Sequence, residues 1–267
     1  MVTLNAMRRT LLLVMALSAC GPAATAPTPS LALATPTTAP TATARPTATL
    51  PPSPTPTVSP APRASSAVHY VAIGASDTVG VGSLDPATGS WPSRIAALLP
   101  QGSTYRNLGV SGSLAAQARA EQLPTAVAEQ PTAVTIWLAV NDLDAEVAPA
   151  DHAAAIDAIL ADLTRATSAR VFIGNVPDLR AVPAYAGADQ VALGAIVTAY
   201  NQGIAAAAAK HPGRVRVVDL FTGSAELTTQ LTVAPDGFHP SDAGYVLIAQ
   251  RFAAAMREEG IPLRPGP

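Results

Sequence analysis

The chain has one cysteine, Cys20, among its 267 residues. No intrachain disulfide can form and no cysteine-based zinc spacing can be drawn, so the fold must hold by packing alone. Neither sign of charge is in surplus: 16 lysines and arginines against 18 aspartates and glutamates leave a formal net charge of -2. That excludes the basic footprint of a nucleic-acid binder or of a polybasic membrane surface. The four histidines and the acids form no cluster with ligand spacing, so no metal is expected, and no other cofactor is implied. The apolar run near the start, from Leu11 to Leu17, is too short to span a bilayer as a mature helix. Apolar residues as a class are plentiful, at 49% of the chain, and the length suffices for a sizeable core in one large α/β domain or two small ones.

Residues 1–19 carry the layout of an export signal: the basic pair Arg8 and Arg9, the apolar run, then small residues. The stretch Leu17-Ser18-Ala19-Cys20 resembles the bacterial lipobox, in which the cysteine becomes the first mature residue and carries lipid. That resemblance implies export, with a lipid anchor at Cys20 on the outer face of a bacterial cell membrane or at the cell surface. From Cys20 to residue 67 the chain is dominated by proline, threonine, alanine and serine, and holds nearly half of the 26 prolines. Such a segment has no periodic apolar face and lacks many backbone donors, so it cannot build a core. It is expected to be an extended spacer, reaching on the order of 140 Å at ~3.1 Å per residue in a polyproline II conformation.

Residues 68–264 alternate β-rich apolar runs with alanine- and leucine-rich stretches of helical period. The runs 69–74, 103–109, 133–140, 169–176 and 214–220 predict strands. Helices are predicted at 91–99, 113–128, 149–167, 190–210 and 241–258, with Pro92, Asp151 and Ser241 suited to helix starts. Strand and helix alternating five times predict a single three-layer α/β/α domain with a mainly parallel five-stranded sheet and right-handed crossovers. In such a sheet ligands bind outside the carboxyl ends of the strands. Ser76 follows the first predicted strand, Gly112 the second, Asn141 the third, and Asp236 and His239 the fifth, so four loops converge on one edge.

IGASDTVGVG at 73–82 sets Ser76 among small residues, where it could be a nucleophile, a phosphate-loop residue or a turn residue. Gly80 and Gly82 form G-x-G, but no third glycine and no G-K-[ST] follow, which argues against a nucleotide site. A nucleophilic serine demands a base, a group that orients the base, and donors for an oxyanion. APDGFHPSDAGY near the C-terminus holds Asp236 and His239 three residues apart, a spacing that can set carboxylate beside imidazole.

Four blocks in order, IGASDTVGVG, NLGVSGS, LAVNDLD and DGFHPSDAGY, resemble those of the SGNH hydrolases, or GDSL esterase/lipase family. The resemblance spans roughly residues 69–255. It implies the flavodoxin-like SGNH fold and serine ester hydrolysis, with Ser76 as nucleophile, His239 as base and Asp236 orienting it. It also implies an oxyanion hole from the backbone N–H groups of Ser76 and Gly112 and the side-chain amide of Asn141. Two positions depart from the family pattern: Ala75 stands where aspartate is usual, with Asp77 just after the serine, and Ala139 stands where glycine is usual. Asp142, His69, His152 and His211 are expected to be structural or solvated. Trp91 and Trp137 are expected in the core, with Trp91 the one that could border the site. Residues 177–190 are expected to wall or cover the site. The implied partner is a small-molecule or carbohydrate ester, with short-acyl, lipid and O-acetyl carbohydrate esters all open, acted on by a monomer; a catalytically inactive module of the same fold binding cell-wall or extracellular glycans is the competing expectation.

Overall fold

The computed structural model describes residues 67–266. The expected export signal 1–19, the lipidation site Cys20 and all but the last residue of the 20–67 spacer lie outside the described residues. β1 (His69–Gly74) is followed by three short helices, α1 (Ser76–Val79), α2 (Pro86–Gly89) and α3 (Trp91–Ala96), and then β2 (Thr104–Asn107). α4 (Ala115–Glu121) and α5 (Leu123–Ala128) lead to β3 (Ala133–Trp137), then α6 (Val140–Asp144) and α7 (Pro149–Ala166) to β4 (Arg170–Gly174). Two 3-10 turns, Leu179–Ala181 and Pro183–Tyr185, precede α8 (Gln190–Ala209), β5 (Val215–Val218), α9 (Ser224–Leu227) and α10 (Asp242–Glu258).

All five strands run parallel in the order β2-β1-β3-β4-β5. A sheet covered on both faces needs strands that are apolar on both sides, and β1 and β3 meet that need with continuous runs of buried residues. Tyr70 and Ala72 of β1, Trp137 at the end of β3 and Phe172 of β4 join Trp91 and Ile95 of α3 and Tyr245, Phe252 and Met256 of α10 in one core cluster. The alternate residues Val71, Ile73, Val134, Ile136, Val171 and Ile173 are buried on the opposite face. There α7 offers Ile156, Ile159, Leu160 and Leu163, and α8 offers Leu193, Val197, Tyr200 and Ile204 at helical spacing. Two helices are capped by the side chains that precede them: Asp189 accepts from Val191 and Ala192 N–H at the start of α8, and Ser241 from Gly244 N–H at the start of α10.

Three expectations shift. β3 stops at Trp137, because Ala139 at φ 154° turns the chain into α6; Asn141 therefore lies on the first turn of a helix and not at the end of a strand. The helix expected over 113–128 is two helices, α4 and α5. Pro124 has no N–H to offer the preceding turn and its ring crowds that turn, so the chain breaks at Gln122. Trp91 is fully buried and stacked on Phe252, with ring centroids 4.4 Å apart, and it is Trp137 that lines the cavity beside the site.

The strand order reverses at β1, between β2 and β3, and in doubly wound sheets the ligand crevice opens at that reversal. Ser76 leaves the end of β1, Gly112 follows β2, and Asn141 follows β3.

Candidate active site

Ser76 is the first residue of α1 and is 8% exposed. Its Oγ lies 3.0 Å from His239 Nε2, across 163 residues of chain. The other ring nitrogen, Nδ1, lies 2.6 Å from Asp236 Oδ2. Asp236 Oδ1 accepts from the N–H groups of Phe238 and His239 at 2.9 and 3.0 Å, which locks the D-x-x-H loop into a turn. Burial alone would raise the Asp236 carboxyl. The hydrogen bonds from the His239 ring and from those two N–H groups outweigh it and hold the acid below its ordinary range. Gly82 lets the first loop lie against the last: at φ 96° it has no room for a Cβ, which would fall 2.4 Å from Pro240 O and 3.0 Å from His239 Cβ.

The usual aspartate before the serine is absent, and the turn is braced in another way. Asn107, the last residue of β2, donates from Nδ2 to Thr78 O at 2.6 Å and accepts from Gly109 N–H at 2.9 Å. The backbone N–H groups of Ser76 and Gly112 have no acceptor among the described residues. Gly112 takes φ 79°, a conformation open to glycine. Asn141 Nδ2 donates one hydrogen to Ser113 O at 3.2 Å, and its second has no acceptor among the described residues. The structure thus joins Ser76, His239 and Asp236 in one hydrogen-bonded chain and ties Asn141 to the residue after Gly112.

Residues 177–190 form a wall pinned at three points. Tyr185 donates its hydroxyl to Asp144 of α6 at 2.8 Å, Ala184 N–H donates to Gly237 O at 2.9 Å, and Asp178 N–H donates to Ser224 Oγ at 2.8 Å. Between this wall, the ends of β3 and β5 and the segment from α9 into α10 lies a mainly apolar cavity of about 120 Å³, lined by Trp137, Leu179, Val182, Tyr185, Phe238 and Ile248; it lies beside the Ser76–His239 pair, which does not line it. Asp77, next to the serine, reaches the same cavity. Burial pushes its carboxyl up, and attraction to His239 offsets part of that rise. Burial likewise raises Asp144 to about 6, against the lowering effect of the Tyr185 hydroxyl.

Three participants escaped sequence reasoning: Gln122, Asp144 and Tyr185. Pro124 was the one local sign that the chain breaks near Gln122. Asp142 and His152 are structural, but as a pair: both are almost wholly buried, with Asp142 Oδ1 3.3 Å from His152 Nδ1 and the carboxylate accepting from Ala115 N–H at 3.0 Å.

The family described as GDSL-like Lipase/Acylhydrolase matches residues 72–247. No curated protein gives a match. Among solved structures the chain is similar to TesA, with a TM-score of 0.56 and 24% identity over 72% of this chain and 99% of that one. It is also similar to Axe2, an acetyl xylan esterase from Geobacillus stearothermophilus, with a TM-score of 0.56 and 20% identity over 75% and 98% of the two chains. A Clostridium thermocellum family 3 carbohydrate esterase gives a TM-score of 0.56 and 17% identity over 72% and 96%. At these identities the likeness to solved structures is one of fold.

Proposed function

The chain belongs to the GDSL-like lipase/acylhydrolase family and is an SGNH ester hydrolase, and we propose that it cleaves short-acyl carboxylic esters through an acyl group carried on Ser76. His239 takes the hydroxyl proton as Ser76 Oγ attacks the carbonyl carbon, then delivers that proton to the departing alkoxide. A water molecule, deprotonated by the same ring, releases the acid. Asp236 fixes the ring orientation and stabilises its charged form. Charge that grows on the carbonyl oxygen is met by the N–H groups of Ser76 and Gly112 and the second Nδ2 hydrogen of Asn141. The observation that carries this assignment is the unbroken Ser76–His239–Asp236 relay at 3.0 and 2.6 Å.

The acyl length rests on the cavity. An apolar cavity of ~150 Å³ holds benzene, so one of about 120 Å³ beside the nucleophile suits a short acyl chain. Likeness in fold to acetyl xylan and carbohydrate esterases supports a second reading, in which the leaving alcohol is a sugar hydroxyl and the acyl group is acetyl. We further propose, from the sequence, that Cys20 carries lipid and holds the enzyme at an outer membrane face.

A fluorescent alkyl phosphonate tests the mechanism. Labelling of the wild type at Ser76, lost in Ser76→Ala together with hydrolysis of p-nitrophenyl butyrate, is expected. Asn141→Ala should still take the label at Ser76, more slowly, and lose about a hundredfold in turnover, the ~3 kcal/mol typical of one oxyanion donor. A folded wild type that takes no label and hydrolyses nothing would favour the glycan-binding alternative. A panel of acyl esters and acetylated xylo-oligosaccharides separates the two substrate readings.

A further inference from the structure

Gln122 sits at the break between α4 and α5, 3% exposed. Its amide meets the backbone of Gly74, two residues before the serine, with both of its polar atoms: Gly74 N–H donates to Oε1 at 3.0 Å, and Nε2 donates to Gly74 O at 2.9 Å. The second Nε2 hydrogen goes to Ser113 Oγ at 3.1 Å. Ser113, 4% exposed, follows Gly112 directly, and its carbonyl is the acceptor that orients Asn141 Nδ2.

Topology explains why a side chain is needed here. β1 is paired with β2 only as far as Ala72 and Asn107. Beyond that point β2 leaves the sheet to form the loop that carries Gly112, so Gly74 would lose part of its ladder where the nucleophile is presented. Val110 N–H still reaches Gly74 O at 3.1 Å, but Gly74 N–H has no backbone acceptor on that side. The Gln122 amide supplies the missing strand partner, with a donor and an acceptor in the geometry of a peptide group. Both of its Nε2 hydrogens and its carbonyl oxygen find partners inside the protein, and a buried polar network satisfied in this way is rigid.

We infer that Gln122 is a positioning residue for ester hydrolysis: it locks the end of β1, the Gly112–Ser113 loop and, through Ser113, the Asn141 amide into one fixed oxyanion cradle. This rests on reading Ser76, Gly112 and Asn141 as the oxyanion hole. Gln122 touches neither His239 nor the cavity, so its loss should affect the charge-stabilised transition state and not binding of the ground-state ester.

The test is steady-state kinetics of the full chain carrying Gln122→Met, which keeps the volume and removes all three hydrogen bonds. Expected is a fall in kcat on the order of 10–100-fold, the scale of a small misplacement of catalytic groups. KM for p-nitrophenyl butyrate should change less than about twofold, the rate of phosphonate labelling at Ser76 should fall in step with kcat, and the acid limb of the kcat/KM profile should stay where it is. Ser113→Ala, which removes the Nε2 bond to Oγ together with the long 3.3 Å bond from Oγ to the adjacent Leu114 O and is mild enough to fold if Gln122→Met does not, should show a smaller fall with the same signature. Wild-type kcat in either folded variant, or a loss confined to KM, would overturn the inference while leaving the esterase reading intact. A wild type that Ser76-directed phosphonate does not label would sink the esterase reading itself, and this inference with it.

Discussion

Ala139 holds a backbone conformation that costs a residue with a Cβ on the order of 1–3 kcal/mol: φ 154°, ψ -37°. The family pattern has glycine there. Ala139→Gly relieves the strain and adds unfolded-state entropy worth ~0.4–1 kcal/mol against folding. A net gain of about 1 kcal/mol is expected in urea unfolding, and a loss of stability would mean that the alanine sits without strain. Asp144 offers a second single-side-chain test. Its folded-state value of about 6 exceeds the ordinary 3.8, so the native state binds the proton more tightly than the unfolded chain does. The stabilisation this provides is complete below about pH 4 and is lost as pH rises towards 6. Asp144→Asn keeps an acceptor for the Tyr185 hydroxyl and removes the buried charge. It should stabilise by about 2 kcal/mol at pH 8 and by almost nothing at pH 4; an equal effect at both pH values would show that the carboxylate is not the cause.

Among elements, the wall at 177–190 decides most about substrate. Its two 3-10 turns bury Leu179 and Tyr185 against the cavity, and its three hydrogen bonds run to α6, to the His239 loop and to the start of α9. A wall tied to the loop that carries the base can fix acyl length without moving. Val182 is 9% exposed and faces the cavity, so Val182→Phe should shorten the space available to the acyl chain. The ratio of kcat/KM for hexanoyl over acetyl esters is expected to drop by about tenfold, within the 1–3 kcal/mol that a hydrophobic pocket discriminates. An unchanged ratio would place the acyl chain elsewhere. The break between α4 and α5 matters for another reason. A continuous helix over 113–128 would carry position 122 in its interior; the interruption at Pro124 leaves Gln122 in a bend, in reach of Gly74.

Considered whole, the molecule couples a hydrolase domain to a proline- and threonine-rich stretch with a lipobox-like start. If Cys20 carries the anchor, Cys20→Ala should move the protein from the membrane to the soluble fraction with kcat unchanged; retention in the membrane would refute lipidation. Within the domain, strand periodicity and the parallel sheet were legible beforehand, because burial pattern is local, while Ser76, Asp236 and His239 stood out through the likeness of their blocks to those of the SGNH family. D-x-x-H is a local turn, so the Asp236–His239 contact was readable from spacing as well. Gln122, Asp144 and Tyr185 were not, since their roles come from partners 41 and 48 residues away that meet only once β2 has been laid outside β1 and the wall folded over the strand ends. One-dimensional order specified the strands and, through the family blocks, the candidate reactive groups. Which polar side chain closes a gap in the ladder, and which carboxyl loses its water, followed from strand order and packing, because hydrogen bonding and desolvation depend on neighbours in space.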